Sequence, residues 1–579
     1  MPAMPTTKPP NVVVMMMDDL AYGDLACHGN PYVKTPVLDV LHDESVRLTR
    51  YSSGPMCTPA RASLMTGRYH LRTRAIDTFC GRSMIDPGEV TLGHVLQRAG
   101  YRTGAFGKWH LGDAYPMRAC DLGFHETLMH NAGGIGQPGD HRENHWREGE
   151  SYYDPVLHRG GVPERTSGYC TDVFVDETIA FIEEHHDAPF FAYFATNAPH
   201  TPLEVPEQWV APYRAIAALG ETHARLYGMV ANIDWNIGRI LAALGDRDLT
   251  HNTIVVYTSD HGPCPSARDY TQPPDKQQRF NAGLRGEKGS LYDGAVKVPS
   301  FWRWPAGGVG GDRGRDDARI ASPIDVLPTI AAATGAAVFD DVSLDGIDLL
   351  PQLRDADAPA PDRNIYLQWH RGNQPERYRN YAVVTQRYKL HRPEPSKPDE
   401  LYDLVADPFE THDIAPAHTP VVEQLRAAYD AWFDNIEATR PDPFAAPRIV
   451  IGAVGEDHVV LTRQDWRIDD GAADMGELAG WMATTQGWFE VDIVRATAAR
   501  VEVRLDAFVW SRPDIHATVN LRVGDHTYSQ PWVLQVTCYA FAIDLAAGAT
   551  QVEAWADGGP TGRRSALYVD VLTRAFAAR

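Results

Sequence analysis

The sequence predicts an α/β fold with a mostly parallel β-sheet flanked by helices, a smaller α+β subdomain, and an added all-β sandwich-like domain. In the first part, short apolar runs alternate with amphipathic segments, as in strands joined by helical crossovers. Beyond residue 440 the apolar residues recur with a period of two, which is typical of half-buried antiparallel strands. The predicted domain ranges are 1–335, 336–440 and 441–579.

The strands of the first part are predicted from short continuous apolar runs, which suit strands buried on both faces. They are Asn11–Met17, Thr103–Phe106, Phe190–Ala195 and Thr253–Thr258. The helices are predicted from apolar residues at helical spacing, with Gly100 as a stop signal after the first. They are Thr91–Ala99, Asp172–Glu184 and His223–Leu244.

The second part is predicted to contain a small antiparallel sheet closed by the helix Val421–Glu437. Its strands are Arg363–Trp369, Asn380–Thr385 and Tyr388–His391. The Pro-rich stretch Ala438–Arg448 is predicted to be a linker. Six alternating segments then predict the antiparallel sandwich, namely Phe489–Val494, Val501–Phe508, Ala517–Val523, Tyr539–Leu545, Val552–Trp555 and Leu567–Leu572.

Composition excludes several classes of protein. The net charge of −22 argues against general nucleic-acid binding, which needs a broad basic face. No run of about 18 apolar residues is present, so no membrane span is expected. The seven cysteines are scattered without a CxxC pair, which argues against a disulfide framework or a thiolate zinc site. With no signal peptide apparent, a cytoplasmic location is expected; a removed leader would instead indicate a periplasmic or secreted protein.

Polar clusters follow four predicted strands of the first part. In open α/β sheets, ligands bind beyond the carboxyl ends of the strands, so these clusters predict one site. Carboxylates with an occasional imidazole are ligands for a hard divalent cation. A single Asp pair would more often be a turn or a helix cap, but two carboxylate clusters at matching strand ends favour a metal site. The clusters are Asp18-Asp19 (with Asp24), Lys108 with His110, His200, and Asp260-His261.

The segment Cys57-Thr58-Pro59-Ala60-Arg61, followed after four residues by Thr66-Gly67, carries the strongest motif. It resembles the signature of the formylglycine-dependent sulfatases of the alkaline-phosphatase superfamily, with Ala60 where serine is common. Further segments resemble that family in the same order along the chain. They are Gly107–Gly112, Ala198–His200, Ser259–Gly262, Gly286–Lys288, Tyr292–Gly294 and Val298-Pro299.

The resemblance implies a sulfatase that releases alcohol and inorganic sulfate from a sulfate monoester. It implies that a separate maturation enzyme converts Cys57 to formylglycine, whose hydrate is the nucleophile. One divalent metal, expected to be calcium, would be held by Asp18, Asp19, Asp260 and His261. The remaining implied roles are sulfate binding by Lys108 and Lys288, orientation of the hydrate by Arg61, leaving-group protonation by His200, and proton removal at residue 57 by His110.

Three questions stay open at the level of sequence. A phosphodiesterase or phosphonate monoester hydrolase of the same superfamily is one alternative, and a non-catalytic glycan-binding protein is another. The substrate is either a sulfated carbohydrate or an aryl or alkyl sulfate. Residues proposed to contact the leaving group are Trp109, Trp369, His370 and Arg371, whereas the tryptophans of the third part are expected mainly to fill its core.

Overall fold

In the computed structural model, the described residues are 8–144, 150–273, 276–469, 486–505, 516–559 and 562–573. A ten-stranded sheet forms the centre of the first part. From edge to edge its strands are β10 (Arg315–Asp317), β2 (Val46–Leu48), β9 (Ser300–Arg303), β8 (Thr253–Ser259), β1 (Asn11–Met17), β7 (Phe190–Ala195), β3 (Arg102–Lys108), β4 (Glu126–His130), β5 (Val156–Arg159) and β6 (Val162–Arg165).

The five central strands of this sheet, β8, β1, β7, β3 and β4, are parallel to one another. Every residue of β1, β7 and β8 is buried, which explains why they read as continuous apolar runs. Towards the edges, β9, β5 and β6 are antiparallel. The predicted strands are therefore confirmed, and the mostly parallel character holds for the centre of the sheet.

Helices cover both faces of the sheet, as predicted. The first face packs against α2 (Cys57–Thr66), α3 (Leu92–Arg98), α8 (Val326–Thr334) and α9 (Leu350–Arg354). The other packs against α1 (Pro36–Glu44), α4 (Cys170–Glu184), α5 (Glu207–Arg214) and α6 (Glu221–Asp246). The short helix α7 (Asp293–Val296) lies against the neighbouring small sheet. Within the described ranges, no helix is long and apolar enough to cross a bilayer.

The small antiparallel sheet has four strands, one more than predicted. They are β11 (Ile365–Gln368), β12 (Tyr381–Val384), β13 (Tyr388–Arg392) and β14 (Glu400–Asp403). The sequence prediction missed β14 because charged residues stand at both of its ends and only the central Leu401 and Tyr402 are buried. Helix α10 (Thr419–Glu437) packs on this sheet through Val422, Tyr429 and Phe433.

The C-terminal β region, residues 449–573, consists of two sheets that share one core. The first contains β15 (Ile449–Ile451), β17 (Phe489–Ile493), β22 (Gly548–Gly559), β19 (Thr518–Val523), β20 (His526–Pro531) and β23 (Gly562–Ser565). The second contains β16 (His458–Thr462), β24 (Tyr568–Leu572), β18 (Thr497–Arg504) and β21 (Cys538–Leu545).

The six predicted strands of this region are present, but the prediction missed β15, β16, β20 and β23. It also missed that β15 pairs with β17 in parallel. The predicted end of Val501–Phe508 lies outside the described residues, as do Trp481 and Trp510. Of the other three tryptophans considered there, Trp555 is buried, and Trp488 and Trp532 are partly buried.

The C-terminal β region is joined to the α/β part by polar contacts as well as by a continuous core. Arg118 forms an ion pair with Glu456, with Nη2 2.6 Å from Oε1. The Tyr568 hydroxyl donates to the Asp140 carbonyl at 3.0 Å. Asp465 is 2% exposed and lies next to Asp113. Burial raises the pKa of Asp465 to about 7, and burial together with repulsion by Asp465 raises the pKa of Asp113 well above its usual range.

Because the pKa values of Asp113 and Asp465 are raised in the folded protein, we expect the folded state to lose stability as pH rises from about 4 to 7. Over that range the folded chain keeps protons that the unfolded chain has released, so each proton contributes a slope of up to about 1.4 kcal/mol per pH unit. We expect Asp465→Asn to flatten the dependence of Tm on pH, whereas Asp525→Asn, at an exposed carboxyl, should not. An unchanged slope in Asp465→Asn would contradict this assignment.

Candidate active site

The carboxyl ends of four parallel strands meet at one edge of the sheet and carry the predicted polar residues. Asp18 and Asp19 follow β1, and Asp260 and His261 follow β8. The two segments are hydrogen-bonded to each other, since the Asp19 amide donates to Asp260 Oδ1 at 3.2 Å. Lys108 ends β3, and His200 lies a few residues beyond β7. The predicted convergence of these four clusters is what the structure shows.

Cys57 is the first residue of α2 and lies in the middle of this edge. Its Sγ is 3.1 Å from His261 Nε2 and 3.6 Å from Asp18 Oδ1. Lys288 Nζ approaches the same sulfur to 3.4 Å from a loop after β8. The side chain is only 2% exposed. The first turn of a helix also presents free backbone N–H groups, which favour negative charge at this position.

The acidic residues around Cys57 fit a hard divalent cation. Ligand atoms of Asp18, Cys57, Asp260 and His261 all lie within 4.8 Å of one another, and all four residues are buried. Asp19 is adjacent, with Oδ1 3.2 Å from His261 Nε2, and its buried Oδ2 has no hydrogen-bond partner within the described residues. Such an oxygen-rich donor set with one imidazole matches the preferences of calcium and similar ions.

Asp24, the other carboxylate after β1, lies apart from this group. Its Oδ2 accepts a hydrogen bond from the Ala21 amide at 2.8 Å and lies 3.2 Å from Arg279 Nη2. Burial raises the pKa of Asp24 to about 6. The carboxyl therefore stabilises the turn after the strand, which is the ordinary structural role of an acidic residue at a strand end.

Three cations balance the three carboxylates of the cluster. Lys108 Nζ is 2.6 Å from Asp18 Oδ2, and Lys288 Nζ is 2.7 Å from Asp19 Oδ1. Arg61 Nη2 is 2.8 Å from Asp260 Oδ2, and its Nη1 donates to the Lys108 carbonyl at 3.1 Å. Because buried charges require partners, these pairs fix the positions of all six side chains.

The electrostatic field of the cluster favours an anion at residue 57. Burial opposes ionisation of the Cys57 thiol, but the charges of Lys108 and Lys288 outweigh it and hold its pKa well below the usual range. Burial likewise opposes ionisation of Asp19, yet Lys288 lowers its pKa. Although burial works against protonation of His261, Asp260 raises its pKa to about 9.

His110 and His200 lie on two sides of the cluster with different hydrogen-bond partners. His110 Nε2 is 2.9 Å from the Thr78 carbonyl, and burial lowers the pKa of this imidazole. His200 Nδ1 is 2.6 Å from the Thr201 carbonyl, and its Nε2 is 3.7 Å from Asp19 Oδ2. A neutral imidazole whose one nitrogen donates to a carbonyl keeps the other nitrogen as a proton acceptor.

A cavity of about 450 Å³ opens above Cys57. Trp369 and Arg371 line it, as the sequence prediction proposed, and the Arg371 guanidinium lies 4.0 Å from the Phe79 ring centroid. The other two residues proposed as contacts are not among those that line the cavity. Trp109 is in the core, with Nε1 donating to the Met117 carbonyl, and His370 is hydrogen-bonded to the Glu376 amide.

Several residues of the cavity wall have no signal in the sequence. They belong to loops between elements and to the C-terminal β region, and no motif marks them. Only their placement around Cys57 identifies them. They are Thr78, Phe79, Gly133, Gln137, Pro138, Cys264, Ser266, Arg463 and Gln464.

Comparison with known proteins gives the same family as the motifs in the sequence. The sulfatase family model matches residues 10–336, more than half of the chain, so the chain belongs to the sulfatase family. A second model, N-sulphoglucosamine sulphohydrolase, C-terminal, matches residues 286–432. The protein is therefore a sulfuric ester hydrolase, as the resemblance implied. The family implies a metal and formylglycine, in accord with the buried Asp, Cys and His cluster.

Individual relatives match similar shares of the chain. Human arylsulfatase A is 30% identical over 72% of this chain and 87% of its own length. The N-acetylgalactosamine-6-O-sulfatase of Bacteroides thetaiotaomicron is 28% identical over 72% of this chain and 91% of its own. The crystal structure of Ps i-CgsB in complex with k-i-k-neocarrahexaose has 26% identity and a TM-score of 0.64, over 73% of this chain and 93% of that one.

Proposed function

We propose that the natural substrate is a sulfated saccharide and that Cys57, converted to formylglycine, is the nucleophile. The observation that carries this proposal is the position of Cys57, at the floor of a cavity and at the start of a helix. Three carboxylates and three cations surround it there. The maturation enzyme that performs the conversion is part of the proposal.

Asp18, Asp19, Asp260 and His261 would hold the metal, which we propose to be calcium because carboxylate oxygens dominate the donor set. When bound, the ion lowers the pKa of the attacking hydroxyl and withdraws charge from a sulfate oxygen. Asp260 also binds Arg61, because its Oδ2 accepts hydrogen bonds from the Arg61 guanidinium. The same carboxylate thereby links the metal site to residue 57.

Formylglycine supplies a hydrated aldehyde whose hydroxyl attacks sulfur and whose carbonyl re-forms when sulfate departs. Lys288 Nζ is 3.4 Å from Cys57 Sγ, and the Lys108 charge also acts on this sulfur, so both ammonium groups would neutralise the sulfate oxygens. His200 lines the cavity and holds the Thr201 carbonyl through Nδ1, so its doubly protonated ring would protonate the leaving oxygen through Nε2. His110 would remove a proton from the group at residue 57 during release of sulfate.

The walls of the cavity favour a saccharide leaving group. Trp369 presents an indole ring, and its Nε1 donates to Asp77 Oδ1 at 3.1 Å, which fixes the ring. Arg371 donates to the same carboxylate at 2.7 Å. A fixed aromatic ring beside charged hydrogen-bond donors suits the apolar face and hydroxyls of a sugar. The relatives include an enzyme named for N-acetylgalactosamine 6-O-sulfate and a neighbour solved with an oligosaccharide.

The test is a substrate panel in which sulfate or phosphate release is measured directly. Sulfated N-acetylhexosamines and sulfated oligosaccharides are compared with 4-nitrophenyl sulfate and bis(4-nitrophenyl) phosphate. We expect the highest kcat/KM for a sulfated saccharide and only weak turnover of the phosphate diester. Preference for the diester would indicate the phosphodiesterase alternative, and turnover of the aryl sulfate alone would reject a saccharide substrate.

Trp369→Ala is expected to raise KM for the preferred saccharide several-fold, since the sugar loses its stacking surface. Its effect on 4-nitrophenyl sulfate should be smaller, because that leaving group does not extend across the cavity. The matched control is Trp235→Ala, at a tryptophan 45% exposed on α6 and remote from the cavity. Equal effects of Trp369→Ala on both substrates would contradict a sugar-binding role.

A further inference from the structure

A turn of the C-terminal β region, Arg463–Asp465, enters the wall of the cavity above Cys57. We propose that Gln464 in this turn is a positioning residue for His110, so that the C-terminal β region completes the active site. This inference rests on the proposed function, in which His110 acts as a base at residue 57. Neither family model extends beyond residue 432, so Gln464 lies in a part of the chain that both leave out.

The Gln464 amide is bound between two groups of the α/β part. Its Nε2 donates to the Thr78 carbonyl at 2.5 Å and to the Ser83 hydroxyl at 2.9 Å. The same nitrogen is 3.3 Å from His110 Nε2. Both amide hydrogens are therefore used, and one of them fixes the carbonyl that His110 also contacts.

The shared carbonyl determines which nitrogen of His110 carries the proton. His110 Nε2 is 2.9 Å from the Thr78 carbonyl, an acceptor only, so Nε2 must donate and the neutral ring must be unprotonated at Nδ1. Nδ1 has no hydrogen-bond partner within the described residues, and the Cys57 side chain lies against this imidazole. The proton acceptor is thus directed towards residue 57.

The backbone of the turn cannot shift to relax this arrangement. The Gly81 amide donates to the Gln464 carbonyl at 3.1 Å, and Arg467 Nη1 donates to the Cys80 carbonyl at 3.2 Å. On the opposite side, a Cβ added to Gly139 would lie 2.4 Å from Gln464 Cβ. Gln464 is 6% exposed, so the surrounding atoms restrict its side-chain amide to one position. Such rigidity is what a positioning contact needs.

The test is Gln464→Met, which keeps the length of the side chain and removes the donors. We expect kcat and KM to fall together by about 10–100-fold, the size usual for groups that orient a functional histidine, so that kcat/KM changes little. The acidic limb of the pH–rate profile should shift, because His110 would no longer be held in one tautomer. In rapid-mixing experiments the first alcohol should still form quickly, whereas sulfate release should become slower.

Tyr568→Phe is the matched control, since it removes another hydrogen bond between the C-terminal β region and the α/β part, away from the cavity. It should change neither the pH profile nor the ratio of the two release rates. Should Gln464→Met fail to fold, Gln464→Leu also lacks the donors and adds no charge, and the same result is expected. Unchanged profile and release rates in a folded variant would overturn this inference. Failure of the protein without substitutions, with Cys57 converted to formylglycine, to release sulfate would instead overturn the proposed function.

Discussion

Cys57→Ala is expected to lower kcat for sulfate release by at least about 10⁴-fold, because the covalent route disappears with the nucleophile. The cations around residue 57 would remain and would still bind the sulfate group. The affinity for substrate should therefore decrease much less than kcat. Loss of kcat without comparable loss of binding, measured by calorimetry with the preferred substrate, is the expected pattern.

Protein that retains an unconverted Cys57 should be as inactive as the alanine variant. The thiolate that the surrounding lysines favour could attack sulfur, but it has no second hydroxyl from which to expel sulfate. Intact mass and labelling with an aldehyde-reactive hydrazide give the converted fraction, and activity should rise in proportion to it. Cys264→Ser, at a second cysteine of the cavity wall, is the control and should remain active. Full activity from unconverted chain would reject the proposed mechanism.

Asp260→Asn is expected to reduce kcat/KM by about 10³-fold or more, since a bound metal supplies several kcal/mol of stabilisation to the transition state. The substitution also leaves the buried Arg61 charge without its closest carboxylate. Breaking such a pair costs about 3–5 kcal/mol, so Tm should fall as well. Metal content measured by mass spectrometry should decrease in parallel with activity.

Asp24→Asn separates these two effects. Asp24 is equally buried, follows the same strand and pairs with Arg279, but lies outside the metal cluster. It should lower Tm while metal content and kcat per folded molecule stay near those of the unmodified protein. Equal loss of metal in both variants would mean that the cluster around Cys57 is not the metal site.

Much of this site was predictable because many of its residues directly follow parallel strands and therefore stand in short segments of sequence. Asp18 and Asp260 each come directly after an apolar run, and strand ends in a parallel sheet meet at one edge. Cys57 was predicted from a motif alone. Its helix gives no amphipathic signal, because all ten residues of α2 are buried.

The contacts that escaped prediction depend on long-range packing. Gln464 and His110 are separated by 354 positions, and nothing in the turn that carries Gln464 distinguishes it from other turns of a β region. Likewise, all six residues of β20 are exposed or partly exposed, so its pairing with β19 has no local cause in the sequence. Such features follow from the completed fold and from no single segment.

The burial of Cys57 restricts when the chain can be modified. At 2% exposure, on an internal helix, its side chain is out of reach of another protein's active site once the sheet has closed. A ribosome takes roughly half a minute to two minutes to add the next 520 or so residues of the sequence. Any oxidation of this cysteine by a protein catalyst thus competes with folding of the chain. Faster folding would therefore raise the fraction of inactive protein in which Cys57 is unconverted.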